Sequence, residues 1–147
     1  MSEYKAKVEW RNDSSTFTFD TYSRDHAWSF LCHEVPASAA PEYMGAETRV
    51  NPEEAYVASL SSCHMLTFLA IAARRKLVVL HYVDNAVGYL EKNGEGRVAI
   101  TRVVLQPEVT FGKGSAPSPS DLESLHQSAH RNCFIANSVK TVVQVEF

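Results

Sequence analysis

Apolar and polar positions alternate at the start of the chain. Tyr4, Ala6, Val8 and Trp10 are separated by polar neighbours, which predicts a strand. Asn12-Asp13-Ser14-Ser15 has turn chemistry, and Phe17 and Phe19 resume the alternation, so the two segments read as a hairpin. No period emerges from Tyr22 to Val50, where two prolines, one glycine and several small residues predict irregular structure. A helix start follows. Asn51 is a capping residue, Pro52 suits the first helical position, and Glu54 stands where a capping box needs an acid. The helix is expected to run to about Arg75, with Arg74-Arg75-Lys76 set against the negative end of its dipole. It carries few charges, so burial on most sides is expected.

The next stretch is β-rich. Val78, Val79, Leu80, Tyr82 and Val83 open it, and Val87 and Tyr89 continue it after a bulge. Asn93-Gly94-Glu95-Gly96 is a hairpin turn, and Val98, Ile100, Val103, Leu105, Val109 and Phe111 read as the returning strand. Gly112 to Ser120 is a connector containing Pro117 and Pro119. A second helix from near Ser120 places Leu122, Leu125, Ala129 and Cys133 on one stripe, and a final strand runs from Val139 to Phe147. The order strands, helix, strands, helix, strand predicts an α+β fold in one domain over residues 1–147. No internal repeat interrupts it.

Composition adds exclusions. Of 147 residues, 45% are hydrophobic and 21% charged, with a net charge of -3, so nothing points to nucleic acid. The N-terminal residues lack the apolar segment of a signal peptide. No run comes near the roughly 20 apolar residues of a membrane helix. A cytoplasmic protein with no membrane partner is therefore expected. Three cysteines are too few for a disulfide scaffold, and in a reducing compartment they read as buried, metal-binding or reactive.

Cys63 lies mid-helix, on a face where the small residues Ala55, Ser59 and Thr67 recur at four-residue spacing; Cys133 closes the stripe of the second helix. Either one alone reads as a structural cysteine, because free cysteine is among the most buried residue types. Two thiols on core-facing helix positions also suit redox chemistry. A thiolate attacks an O–O bond, and a second thiol captures the sulfenic acid before it oxidises further. His64 follows Cys63 and so points about 100° away, a poor position for that cysteine's base. His126 and His130 are four apart, and His130 and Cys133 three apart, spacings that permit a metal site of Cys63, Cys133 and His130. No Cys-x-x-Cys or His-Glu-x-x-His pattern accompanies them, and the plainer reading is the polar edge of a half-buried helix.

Asn51-Pro52-Glu53-Glu54-Ala55 followed by Ser61-Ser62-Cys63 resembles the signature of the OsmC/Ohr family, osmotically inducible protein C and organic hydroperoxide resistance protein. Ala129-His130-Arg131-Asn132-Cys133, continuing to Ser138, resembles that family's second cysteine motif. The resemblance implies an OsmC-like α+β fold with antiparallel sheets and two main helices, one long, central and buried, in an intertwined homodimer. It implies thiol-dependent reduction of organic hydroperoxides, and of hydrogen peroxide less readily. Cys63 takes the peroxidatic position, Cys133 the resolving one and Glu53 that of the catalytic glutamate. Arg24, in Tyr22-Ser23-Arg24-Asp25, takes that of the activating arginine, with Arg49 as the fallback. No bound cofactor is implied; a dithiol, of lipoyl type by the resemblance, would be the reductant. Cys133-Phe134-Ile135 departs from the usual Cys-Pro-Tyr of Ohr proteins, and Cys32 matches no family position.

Glu53 and Cys63 are ten residues apart, about 15 Å of helical rise, too far for one side chain to serve the other within the chain. Cys63 and Cys133 from one subunit, with Arg24 and Glu53 from its partner, is the expected arrangement. Phe68, Leu66, Phe134, Tyr43 and Tyr56 are candidates to receive an alkyl chain, although plain core packing is the commoner role of such residues. The alternative to an enzyme is a stress-response or small-ligand-binding dimer on the same fold.

Overall fold

The structure, a computed structural model, describes residues Met1–Phe147. They divide into two units, Met1–Ala55 and Tyr56–Phe147.

In the first unit, β1 (Lys7–Glu9), β2 (His26–Phe30) and β3 (His33–Ala37) form an antiparallel sheet in that order. Val8 lies opposite Trp28, and Trp28 opposite Val35. The expected hairpin partner of the first strand, Phe17–Phe19, is in no strand. The turn residues before it bond their own backbone: the Ser14 N–H donates to Asn12 Oδ1 at 3.2 Å, and the Thr16 N–H to Ser14 Oγ at 3.2 Å. Those local bonds use donors that a β-ladder would need. Phe17 instead packs its ring on Trp10 and Tyr22. The stretch read as irregular holds the β2–β3 hairpin, turned at Leu31 with φ 53°. Pro36, which argues against a strand in sequence, sits on edge strand β3, where no ladder donor is needed.

The helix α1 (Pro52–Arg74) starts on the expected capping box. The Glu54 N–H donates to Asn51 Oδ1 at 2.8 Å, and the Asn51 N–H to Glu54 Oε2 at 3.2 Å. It ends in a Schellman motif: Lys76 takes the left-handed conformation, its N–H donates to the Ala73 carbonyl, and the Leu77 N–H donates to the Ala72 carbonyl. At 23 residues α1 is long and apolar enough to cross a membrane, which corrects the expectation that no run qualifies. Leu60, His64, Phe68 and Ala72, spaced four apart, are its buried stripe. Burial on most sides does not hold within the chain: Leu66 is 62% exposed.

In the second unit the expected single returning strand is two. β6 (Val98–Leu105) pairs with β5 (Val87–Lys92), and β7 (Pro107–Phe111) pairs with β4 (Val79–Asp84), each antiparallel. The break falls at Gln106, whose N–H donates to Asp84 Oδ1 at 2.6 Å. Two hairpins are thus nested and assigned to different sheets. β8 (Val142–Val145) joins β6 in parallel, with Arg102 opposite Val142, so this sheet is mixed. The helix α2 (Pro119–Asn132) begins at Ser118, whose Oγ accepts from the Asp121 N–H at 3.2 Å. Two apolar clusters result. Leu60 of α1 packs with Val103 and Leu105 of β6; Phe68 and Ala72 of α1 pack with Leu125 and Ala129 of α2.

Gly45 is required by close approach. A Cβ there would stand 1.6 Å from the Ala39 carbonyl oxygen, whereas one at Gly94 would meet nothing within 4 Å. Gly45→Ala is expected to destabilise by about 1–3 kcal/mol or more. Gly94→Ala should stay within about 0.5 kcal/mol of the parent. Urea denaturation followed by circular dichroism compares the two.

Candidate functional site

Two of the four expected site residues meet in the second unit. Cys63 projects from the middle of α1 and is half-buried, while Cys133 caps the C-terminus of α2 and is 1% exposed. The Cys63 side chain is near enough to act on the Cys133 thiol. The Cys133 N–H closes the last turn of α2 on the His130 carbonyl. Beyond it the chain enters a 3₁₀ turn, Ala136–Ser138, which aims the Ala136 N–H at Cys133 Sγ at 3.4 Å, with the Ile135 backbone beside it. Sequence reasoning did not identify this donor.

Burial pushes the Cys133 thiol up to about 11, and the neighbouring Cys63 pushes in the same direction; the backbone at Ala136 and Ile135 opposes them. Cys133 is therefore a protonated thiol at neutral pH. The pair thus consists of a half-buried cysteine and an enclosed one. Such an arrangement suits capture of an oxidised sulfur by its neighbour.

Arg24, Arg49 and Glu53 belong to the first unit. The Arg24 guanidinium donates to the Tyr22 carbonyl at 2.5 Å and the Phe19 carbonyl at 2.6 Å. It stacks on the Tyr22 ring, 3.8 Å from the centroid. It forms part of the wall of an open cavity of about 400 Å³, with Trp10, Phe17, Tyr22 and His26. Arg49, the fallback, is already paired: its Nε lies 3.2 Å from Asp25 Oδ2, and Asp25 Oδ1 accepts from Ser38 Oγ at 2.9 Å. Arg24 has no carboxylate against it within the chain, and Glu53, half-buried in the first turn of α1, makes no ion pair there.

The remaining candidates separate clearly. Cys32 is exposed at the β2–β3 turn. Phe68 is core, Tyr56 donates or accepts a 2.6 Å hydrogen bond with Thr141, and Leu66, Phe134 and Tyr43 are exposed rather than packed. No three His, Cys, Asp or Glu side chains converge as a metal site would require. His130 is exposed, but His126, read from sequence as a polar helix edge, is fully buried against His64. His64 Nε2 and His126 Nδ1 are 3.1 Å apart.

The fold is by class α+β with one mixed sheet, with one cysteine within its first helix and one capping its second. Residues 45–147 match the family described as OsmC-like protein, and the chain belongs to that family. It is similar to an OsmC-like protein of unknown function from Vibrio cholerae, at 50% identity over 99% of both chains with a TM-score of 0.96. An organic hydroperoxide resistance protein OsmC from Legionella pneumophila shares the fold at 17% identity, over 99% of this chain and 95% of that one, with a TM-score of 0.73. So does an organic hydroperoxide resistance protein from Elizabethkingia anophelis, at 16% identity over 99% and 93%, with a TM-score of 0.72. No curated protein sequence matches the chain.

The buried histidines set a pH dependence. Burial lowers both imidazoles from 6.5 to about 4; His130 adds to this at His64 while Asp84 opposes it, and His64 adds to it at His126. Unfolded, they titrate near 6.5, so between the two values the unfolded chain binds more protons and stability rises with pH. The slope is at most about 1.4 kcal/mol per pH unit for each histidine. The urea midpoint is expected to fall steadily from pH 6.5 to 4.5, and His126→Phe should make that fall shallower.

Proposed function

We propose that the protein is a thiol peroxidase that reduces organic hydroperoxides, with Cys63 as the peroxidatic and Cys133 as the resolving cysteine. The observation that carries this reading is the nearness of a half-buried cysteine on α1 to an enclosed one at the end of α2. The Cys63 thiolate attacks the distal oxygen of R–O–O–H. The O–O bond breaks, an S–O bond forms, and the alkoxide leaves and is protonated to the alcohol. The Cys133 sulfur then displaces hydroxide from the sulfenic acid; an S–S bond forms, and hydroxide leaves with the Cys133 proton as water. A dithiol reductant, of lipoyl type on family grounds, reopens the disulfide and becomes a cyclic disulfide itself. The protein would work in the cytoplasm.

Arg24 is the activating arginine in this reading, because its charge is not already balanced by a carboxylate as that of Arg49 is. A guanidinium near a thiol favours the thiolate and can hydrogen-bond the peroxide. Glu53 orients it. Both would come from the partner subunit of a homodimer, since ten residues of α1 separate Glu53 from Cys63. The apolar face of α1 left open around Leu66 suits such a partner.

One equivalent of cumene hydroperoxide should give an intramolecular Cys63–Cys133 disulfide by mass spectrometry, with Cys32 reduced. Cys63→Ser should abolish dithiol-dependent turnover. A protein that consumes no hydroperoxide while binding a small ligand would instead be a binding dimer. Subunit sharing has its own test. Cys63→Ser and Arg24→Met homodimers should each be inactive, yet an equimolar mixture refolded together should recover about a quarter of parental activity, because half the dimers are mixed and each restores one of two sites. No recovery would place both residues in one subunit's site.

A further inference from the structure

His64 and His126 are the largest buried polar groups of the second unit, and the chemistry above makes no use of them. Their rings are nearly parallel, at 4°, with centroids 5.5 Å apart and the facing nitrogens 3.1 Å apart. The centroid separation exceeds the N···N distance by about the two ring radii, so both centroids and both nitrogens lie almost on one line. That is the geometry of two imidazoles sharing one proton edge to edge. Lone pairs converging on a metal would meet at an angle. Phe68 at 4.6 Å and Phe147 at 4.2 Å flank the His126 ring and fix its plane.

This arrangement is costly as core packing. Whichever tautomers are present, His64 Nδ1 and His126 Nε2 have no hydrogen-bond partner within the chain. An apolar pair of similar shape would avoid that cost. What the pair supplies is direction. A buried hydrogen bond has one permitted distance and angle, whereas apolar contacts slide. His64 is the neighbour of Cys63 on α1. His126 lies two helical turns before Cys133 on α2, on the same stripe.

We propose that His64 and His126 are positioning residues whose shared hydrogen bond fixes the register of α1 against α2 and thereby holds the Cys63 and Cys133 sulfurs within bonding reach. The inference deepens the redox reading of the two cysteines, and its test is independent of peroxide turnover.

The test is equilibration of the Cys63–Cys133 disulfide with dithiothreitol in a Cys32→Ser background. In that exchange the protein S–S bond opens to two thiols while dithiothreitol closes to its cyclic disulfide. Asparagine can place a polar atom where His126 Nδ1 stands, and leucine cannot. His126→Leu and the double variant His64→Leu/His126→Leu should lower the equilibrium constant for disulfide formation about tenfold, a shift of about 30 mV. His126→Asn should stay near the parent. The double variant should melt no lower than the parent, separating lost register from lost stability. If the double variant does not fold, the contrast of His126→Leu with His126→Asn decides. Equal constants across the folded variants, or an asparagine variant no better than leucine, would overturn the proposal. The expected shift in a protein that consumes no hydroperoxide would uphold it and remove the peroxidase reading instead.

Discussion

The nearness of two cysteines carried on different helices is the constraint to which the rest of the second unit answers. A sulfur–sulfur approach tolerates little error, so each helix must be fixed both along and around its axis. α1 is fixed at its start by the reciprocal Asn51–Glu54 box and at its end by the Lys76 and Leu77 N–H groups. α2 is fixed at its start by Ser118 and ends on Cys133 itself. The Cys133 sulfur therefore stands where the helix has stopped and the Ala136 N–H of the next turn is free to face it. A cysteine one turn earlier would have found such a donor already used within the helix.

The same helices explain why the chain looks unfinished as a single copy. α1 commits only the Leu60, His64, Phe68 and Ala72 stripe to its own chain, though most of its residues are apolar. Composition and exposure thus disagree along one element. In the proposed homodimer a second copy would cover that face and would bring Arg24 and Glu53 to Cys63.

Legibility varied with the range of the interactions. Both long helices were readable because their signals are local: caps, charges and a four-residue stripe. The Asn-Gly turn at 93–94 was equally readable. Long-range pairing was not. Phe17 and Phe19 carry the right alternation, but the turn before them closes on its own side chains and Phe17 packs on Trp10 and Tyr22. The division of Val98–Phe111 between two sheets rests on Asp84 gripping the Gln106 N–H, a contact across 22 residues that no window contains. The two cysteines were readable as candidates through their motifs. The buried histidine pair was missed, although His126 falls four after Leu122 and seven before Cys133, on the stripe already recognised. Histidine was assigned to the helix edge by its polarity when its spacing pointed inward.

The parallel pairing of β8 with β6 bears on how the dithiol can move. A parallel neighbour cannot be reached by a tight turn, so the chain leaving β6 travels through β7 and α2 before it returns. Only eight residues, Phe134 to Thr141, lie between Cys133 and the first residue of β8. Cys133 is consequently tethered on both sides, by its helix and by a short lead into a sheet. In the proposed cycle, the sulfur that resolves the oxidised partner is the one held on both sides. Such a cycle would ask for side-chain rotation at Cys133 and little reorganisation of its backbone.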